Sequence, residues 1–311
     1  MITTALTRMF ELEHPLILGP MGGVAGGRLA AAVSNAGGLG LVGAGYGDPQ
    51  WVARELDLVG ELSHRPWGIG FITWSTAPEL LELALARKPA AVMLSFGDPR
   101  PLGARIKAAG CRLICQVQDL AGARLAHEAG GHASRRATLP LVPAVANLVA
   151  PIPVVAAGGI ADGRGLAAAL MLGAEGALLG TRFYASDEAL GSARAKALIA
   201  SASGDATART TVFDIVRRLD WPPGYDGRAL RNRFMGRWQG HENELAGALA
   251  SENPAFLDAV QAQDFDTAMV WAGEAVDLID AVEPAAEIVR RIGREAEIAL
   301  ARGAALCRYP N

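Results

Sequence analysis

Cysteine is scarce in this chain: three in 311 residues, at Cys111, Cys115 and Cys307. An odd, sparse set excludes a disulfide framework and fits a reducing compartment. There is no CxxC pair, Cys111 and Cys115 have no histidine close by, and no metal site is expected. Lysine is equally scarce, 3 against 26 arginines, and the arginines form no stripe. With a net charge of −3, nothing favours nucleic acid or an anionic membrane as partner. Charged residues are only 20% and apolar residues 51%, which excludes a disordered chain. Long apolar runs are missing too. The longest uncharged stretch, Ala137 to Ala161, is broken by Pro140, Pro143, Pro151 and Pro153, and a membrane helix needs about 20 apolar residues. Met1 to Glu13 lacks the apolar core of a signal peptide, so a cytoplasmic protein is expected. A homo-oligomer is left open.

Glycine, by contrast, is abundant, 37 residues, as expected where backbone must turn tightly or approach a ligand. Short apolar runs alternate with helical patterns. Strands are expected at Leu16–Leu18, Gly40–Val42, Gly68–Ile72, Ala91–Ser95, Arg112–Val117, Val154–Ala156 and Gly176–Leu179. Their apolar character suits parallel strands covered on both faces. The helical segments between them, and the spacing, point to an α/β fold of (β/α)8 TIM-type barrel architecture. After Phe183 the rhythm stops, and Asp187 to Asp280 reads as a mostly helical lobe. The expected division is a barrel over 1–186, with 281–311 packing back on it, and a lobe over 187–280 that covers the substrate. Only seven strands are found. The 14 residues between Val117 and His132 hold one short helix, Asp119–Glu128, and are too few for a further strand.

Gly38-Leu-Gly40-Leu-Val-Gly43 matches G-x-G-x-x-G, but it is itself a strand and opens no helix, so a dinucleotide site is not expected. His127-Glu128-Ala-Gly-Gly-His132 is not HExxH, because position 131 is Gly131. Gly130-Gly131-His132 places an imidazole on a glycine loop, either a general base or a surface histidine. Gly158-Gly159 ends one strand and Gly180-Thr181 the next. Strands seven and eight of such barrels usually end in a phosphate site made by backbone N–H groups. Gly19-Pro20-Met21-Gly22 after the first strand, and Gln116 after the fifth, are candidates to face a ligand or to be structural.

Together these stretches resemble the nitronate monooxygenase family, formerly 2-nitropropane dioxygenases, which are FMN-dependent barrels. The resemblance rests on "AAVSNAGGLGLVG" (Ala31–Gly43), "EAGGH" (Glu128–His132), "PVVAAGGIADGRG" (from Pro153), "GTRF" (Gly180–Phe183) and "VWAGEAVDLI" (Val270–Ile279). It implies an FMN cofactor, with Met21, Gly22, Gln116 and Gly131 near the flavin and Gly158, Gly159, Gly180 and Thr181 around its phosphate. His132 matches the family's catalytic histidine. The implied activity is oxidation of alkyl nitronates or nitroalkanes with O2 to a carbonyl compound and nitrite. An FMN-dependent NAD(P)H reductase of the enoyl-reductase type, or a flavin-binding member without this activity, are the alternatives. Two departures stand out. Gly70 occupies a position where the family usually has Asn, and the family's strand just before "EAGGH" is absent between Ala126 and His127.

Overall fold

The computed structural model describes residues 1–128 and 137–307. It divides into two compact units, residues 1–190 with 283–311, and residues 191–282.

Among the described residues the first unit is built on seven parallel strands: β1 Leu16–Leu18, β2 Gly40–Gly43, β3 Trp67–Ile72, β4 Ala91–Ser95, β5 Arg112–Cys115, β6 Val155–Ala157 and β7 Gly176–Leu179. Two ladders, β6-β7-β1 in one order and β2-β3-β4-β5 in the other, are joined by the parallel bridge Ile17↔Leu39. Leu18 N–H donates to Leu39 O, and Leu39 N–H to Leu16 O, both at 2.9 Å. The helices are α1 Ala5–Phe10, α2 Gly27–Asn35, α3 Pro49–Leu62, α4 Pro78–Leu85, α5 Arg100–Ala108, α6 Leu120–Glu128, α7 Thr138–Val149, α8 Gly163–Met171 and α9 Thr181–Tyr184, with a long C-terminal helix Ala285–Leu306. This is a TIM-type α/β barrel.

Sequence dictates this arrangement locally. β1, β2 and β4 are buried at every residue, as strands with helices outside and a filled interior must be. Ile17, Leu41 and Met93, with Ile114, Val155 and Leu178, fill the interior, and Leu6 and Phe10 of α1 join that cluster. α1 is held by a reciprocal Thr4–Thr7 capping box. The glycines of the G-x-G-x-x-G stretch serve packing. A Cβ on Gly40 would overlap the Ala30 backbone, and one on Gly43 would lie 2.5 Å from Met21 C. That explains the motif without a dinucleotide.

Among the described residues no strand lies between β5 and β6, and these two strands do not pair with each other. β5 and β6 are the most exposed strands of the barrel, as unpaired edges should be. On the outside, α6 and α7 share an apolar cluster: Ala123, Val145 and Val149, backed by Val117, Leu120 and Val154.

The second unit contains a two-stranded antiparallel sheet, β8 Thr207–Thr210 with β9 Gly227–Leu230, within short helices. Its core centres on Phe213, which stacks with Phe234 at 6.0 Å and meets Trp271 edge-on at 5.8 Å. Asp214, buried beside Arg217 (2.7 Å), has its carboxyl pushed up by burial. Among the described residues no helix is long and apolar enough to cross a membrane.

Candidate active site

Parallel strands carry all their C-terminal ends to one rim, where barrels of this type assemble their chemistry. The turns after β1 and β2 interlock there. A Cβ on Gly22 would lie 2.6 Å from Gly45 Cα, Gly43 N–H donates to Ala25 O at 2.8 Å, and Ala44 N–H to Gly70 O at 2.9 Å. The Met21 side chain leans over the end of β7, the neighbour of β1 in the same ladder: its Sδ lies 3.6 Å from where a Gly180 Cβ would be. Met21 and Gly180 are therefore brought together at the rim, while Gly22 packs against Gly45.

Among the described residues, the ends of β6 and β7 leave backbone donors without partners. The N–H groups of Gly158, Gly159 and Gly180 have no acceptor among the described residues. Gly158 and Gly159 have φ of +100° and +73°, a region where L side chains are strained. Nothing lies within 4 Å of a Cβ placed on Gly159. The Thr138 hydroxyl reaches the carbonyls of Ala157 (3.2 Å) and Gly158 (3.1 Å), holding the turn by its acceptor side. Further along, the first turn of α8 is already satisfied by carboxylates. Glu295 Oε2 accepts from Gly163 N–H and Asp162 Oδ1 from Gly165 N–H, each at 2.9 Å. These two donors at the start of α8 are thus taken by carboxylates, unlike those of the glycine turns.

Three further residues at the rim are candidates that sequence reasoning misses. Thr73 Oγ1, after β3, and Gln118 Oε1, after β5, are buried with no hydrogen-bond partner among the described residues. An unmet buried polar atom costs about 1–3 kcal/mol, so these are places where a ligand's polar groups would be welcome. Phe96, after β4, has φ +60°, a strained conformation for a bulky residue that concentrates at functional sites. The Gln116-Val-Gln118 repeat is the one signal visible in the sequence. Gln116 itself extends the β4–β5 ladder, donating its N–H to Leu94 O at 2.9 Å.

The rim's ionisable groups among the described residues are engaged or muted. Asp98 pairs with Arg100 at 2.6 Å, and Asp119 accepts from Gly122 N–H at 2.6 Å. Burial pushes the Cys115 thiol up to about 11, so it is no thiolate nucleophile at neutral pH. Gly131 and His132 lie outside the described residues. No group of three His, Cys, Asp or Glu that could hold a metal occurs among the described residues. The donor set present among the described residues fits a flavin nucleotide: amides without an acceptor there for a phosphate, open glycine turns, and unmatched polar atoms further round the rim.

A family model described as nitronate monooxygenase matches residues 3–86 and 79–295. The nitronate monooxygenase npaC of Metarhizium robertsii is 35% identical over 339 positions, covering 93% of this chain and 92% of that protein. Since 339 exceeds the 311 residues present, that relative carries positions with no counterpart here. Among solved structures, FabK from Thermotoga maritima matches with a TM-score of 0.87 at 29% identity, over 99% of this chain and 100% of that one. Nitroalkane oxidase from Streptomyces ansochromogenes matches with a TM-score of 0.80 at 26% identity, over 98% and 100%.

Proposed function

This chain belongs to the nitronate monooxygenase family of flavin-dependent oxidoreductases, and from that premise we propose that it binds FMN and oxidises alkyl nitronates, and nitroalkanes, with O2 to a carbonyl compound and nitrite. The observation that carries the cofactor choice is the set of amides at Gly158, Gly159 and Gly180 that have no acceptor among the described residues. They suit a single terminal phosphate, and no Rossmann unit occurs among the described residues to hold an adenine dinucleotide. Met21, Gly22 and Gln116 would border the flavin ring. When bound, FMN supplies the electron-accepting chemistry, and the chain supplies position and proton handling. Release of the cofactor by denaturation should yield FMN; an adenine-containing species would overturn the assignment.

The family resemblance assigns Gly131 to the flavin site and gives His132 the role of base, removing the α-proton of a neutral nitroalkane. The npaC likeness and the "EAGGH" match support this role. A general base contributes about 10²–10⁴-fold, so His132→Asn should cost roughly that much in kcat/KM on a nitroalkane and far less on a preformed nitronate. FMN content should not change. Equal losses on both substrates would remove the base role.

A second reading, an FMN-dependent NAD(P)H reductase, is favoured by the high structural match to FabK. Rapid bleaching of the bound flavin by NADPH without oxygen would support it over nitronate oxidation.

A further inference from the structure

Each glycine turn leads into a helix, and both helices are tied to one chain of charges along the C-terminal helix. Glu295 Oε2 accepts from Gly163 N–H, the first residue of α8, at 2.9 Å. Its other oxygen lies 3.4 Å from Arg291 Nη1. Arg291 Nη2 reaches Glu283 Oε2 at 2.7 Å, and that same oxygen lies 3.3 Å from Arg182 Nη1. Arg182 directly follows Thr181. Its side chain is 0% exposed, and its Nη2 donates to Ala185 O at 2.7 Å. Backbone reinforces the link, with Asp187 N–H donating to Glu283 O at 3.1 Å and Ala285 N–H to Glu188 Oε2 at 2.9 Å. Gly163 permits the contact: a Cβ there would overlap Glu295.

The consequence is geometric. One end of the relay holds the segment after Gly158–Gly159, the other the segment after Gly180–Thr181, and Arg291 is its middle. Without Arg291, Glu295 loses the cation that aims it at Gly163, while Arg182 keeps Glu283. Amides that converge on one anion must keep their spacing to a fraction of an ångström. We infer that Arg291, which touches neither turn, is a positioning residue for the cofactor phosphate, fixing the separation of the two glycine turns. This rests on the phosphate placement proposed above.

The test measures affinities of the full-length chain, stripped of flavin, for FMN and for riboflavin, which lacks the phosphate. Arg291→Met is the variant, since Arg291 is 31% exposed and its loss leaves the buried Arg182–Glu283 pair in place. Arg291→Lys tests rescue. Wild type should favour FMN over riboflavin. Arg291→Met should lose on the order of tenfold in FMN affinity, the usual effect of removing an outer partner of a binding group, with riboflavin affinity unchanged and Arg291→Lys in between. If wild type binds both flavins equally, the phosphate placement itself fails and takes the inference with it. If wild type discriminates and Arg291→Met discriminates equally well, the inference fails and the proposed function stands. Equal loss on both flavins would make Arg291 a general fold element and likewise overturn the positioning role.

Discussion

The ring of Pro20 stands where a side chain on Gly70 would have to go: a Cβ there would overlap Pro20 Cβ and Cγ. Gly70 sits in β3, paired with Gly43 of β2 and Met93 of β4, and Pro20 comes from the turn after β1. The departure from the family's usual Asn is therefore half of a matched pair. Gly70→Asn should destabilise the fold by roughly 1–3 kcal/mol, the range for overfilling a packed site. Adding Pro20→Ala should recover part of the loss. Urea midpoints of the two variants and wild type check this, and an unchanged midpoint for Gly70→Asn would mean Pro20 yields freely.

That pair also marks what sequence could not show. Apolar runs bounded by glycine and proline located all seven strands, because burial on both faces writes itself into composition. β5 stops at Cys115, two residues before the expected end at Val117, because Gln116 still finds Leu94 O while the following residues have no ladder to join. The shortage of chain before His132 was legible as arithmetic. The contact of Pro20 with Gly70 was not, since it joins strands that are not neighbours. Thr73 and Gln118 were equally invisible: a threonine or glutamine in a loop is ordinary until its burial without a partner is known. Gly158, Gly159 and Gly180 stood out because consecutive strand ends both turned on glycine.

Thiol chemistry should separate the three cysteines. Cys307 is exposed, Cys111 is buried and Cys115 is half-buried. Burial raises the thiol of Cys111 and takes that of Cys115 to about 11. At pH 7.5 the native chain should give one fast-reacting thiol per molecule with a disulfide reagent, lost in Cys307→Ser. Fast labelling of Cys115 would contradict its burial at the end of β5.

Acid sensitivity should trace in part to His14, just before β1. Its ring packs where Gly293 of the C-terminal helix leaves room. Burial, first, and then Arg290 and Arg294 lower its pKa, against the opposing pull of Glu13 and Glu297. The unfolded chain then binds a proton near 6.5 that the folded chain binds only at lower pH. Stability from this residue is complete above about 6.5 and is lost as pH falls from there to the folded value. His14→Gln should be less stable than wild type at pH 7.5 yet lose less between pH 7.5 and 5.5. Identical acid losses in denaturation curves would remove His14 as a cause.

Gly159 and Gly110 provide a matched control for the phosphate cradle. Both have positive φ, +73° and +77°, and a Cβ on either would meet nothing within 4 Å. Gly110 follows α5 and precedes β5, at the opposite end of the strands, whereas Gly159 carries one of the rim amides that have no acceptor among the described residues. Alanine at either position forces a left-handed conformation costing about 1–2 kcal/mol, so both variants should lose similar stability. Only Gly159→Ala should also weaken FMN binding, because its methyl enters the space kept for the phosphate and its strain pulls the turn off the geometry that Thr138 holds. Thermal midpoints give the first comparison and FMN titration the second. Equal FMN affinity in the two variants would take the 158–159 turn out of the cofactor site.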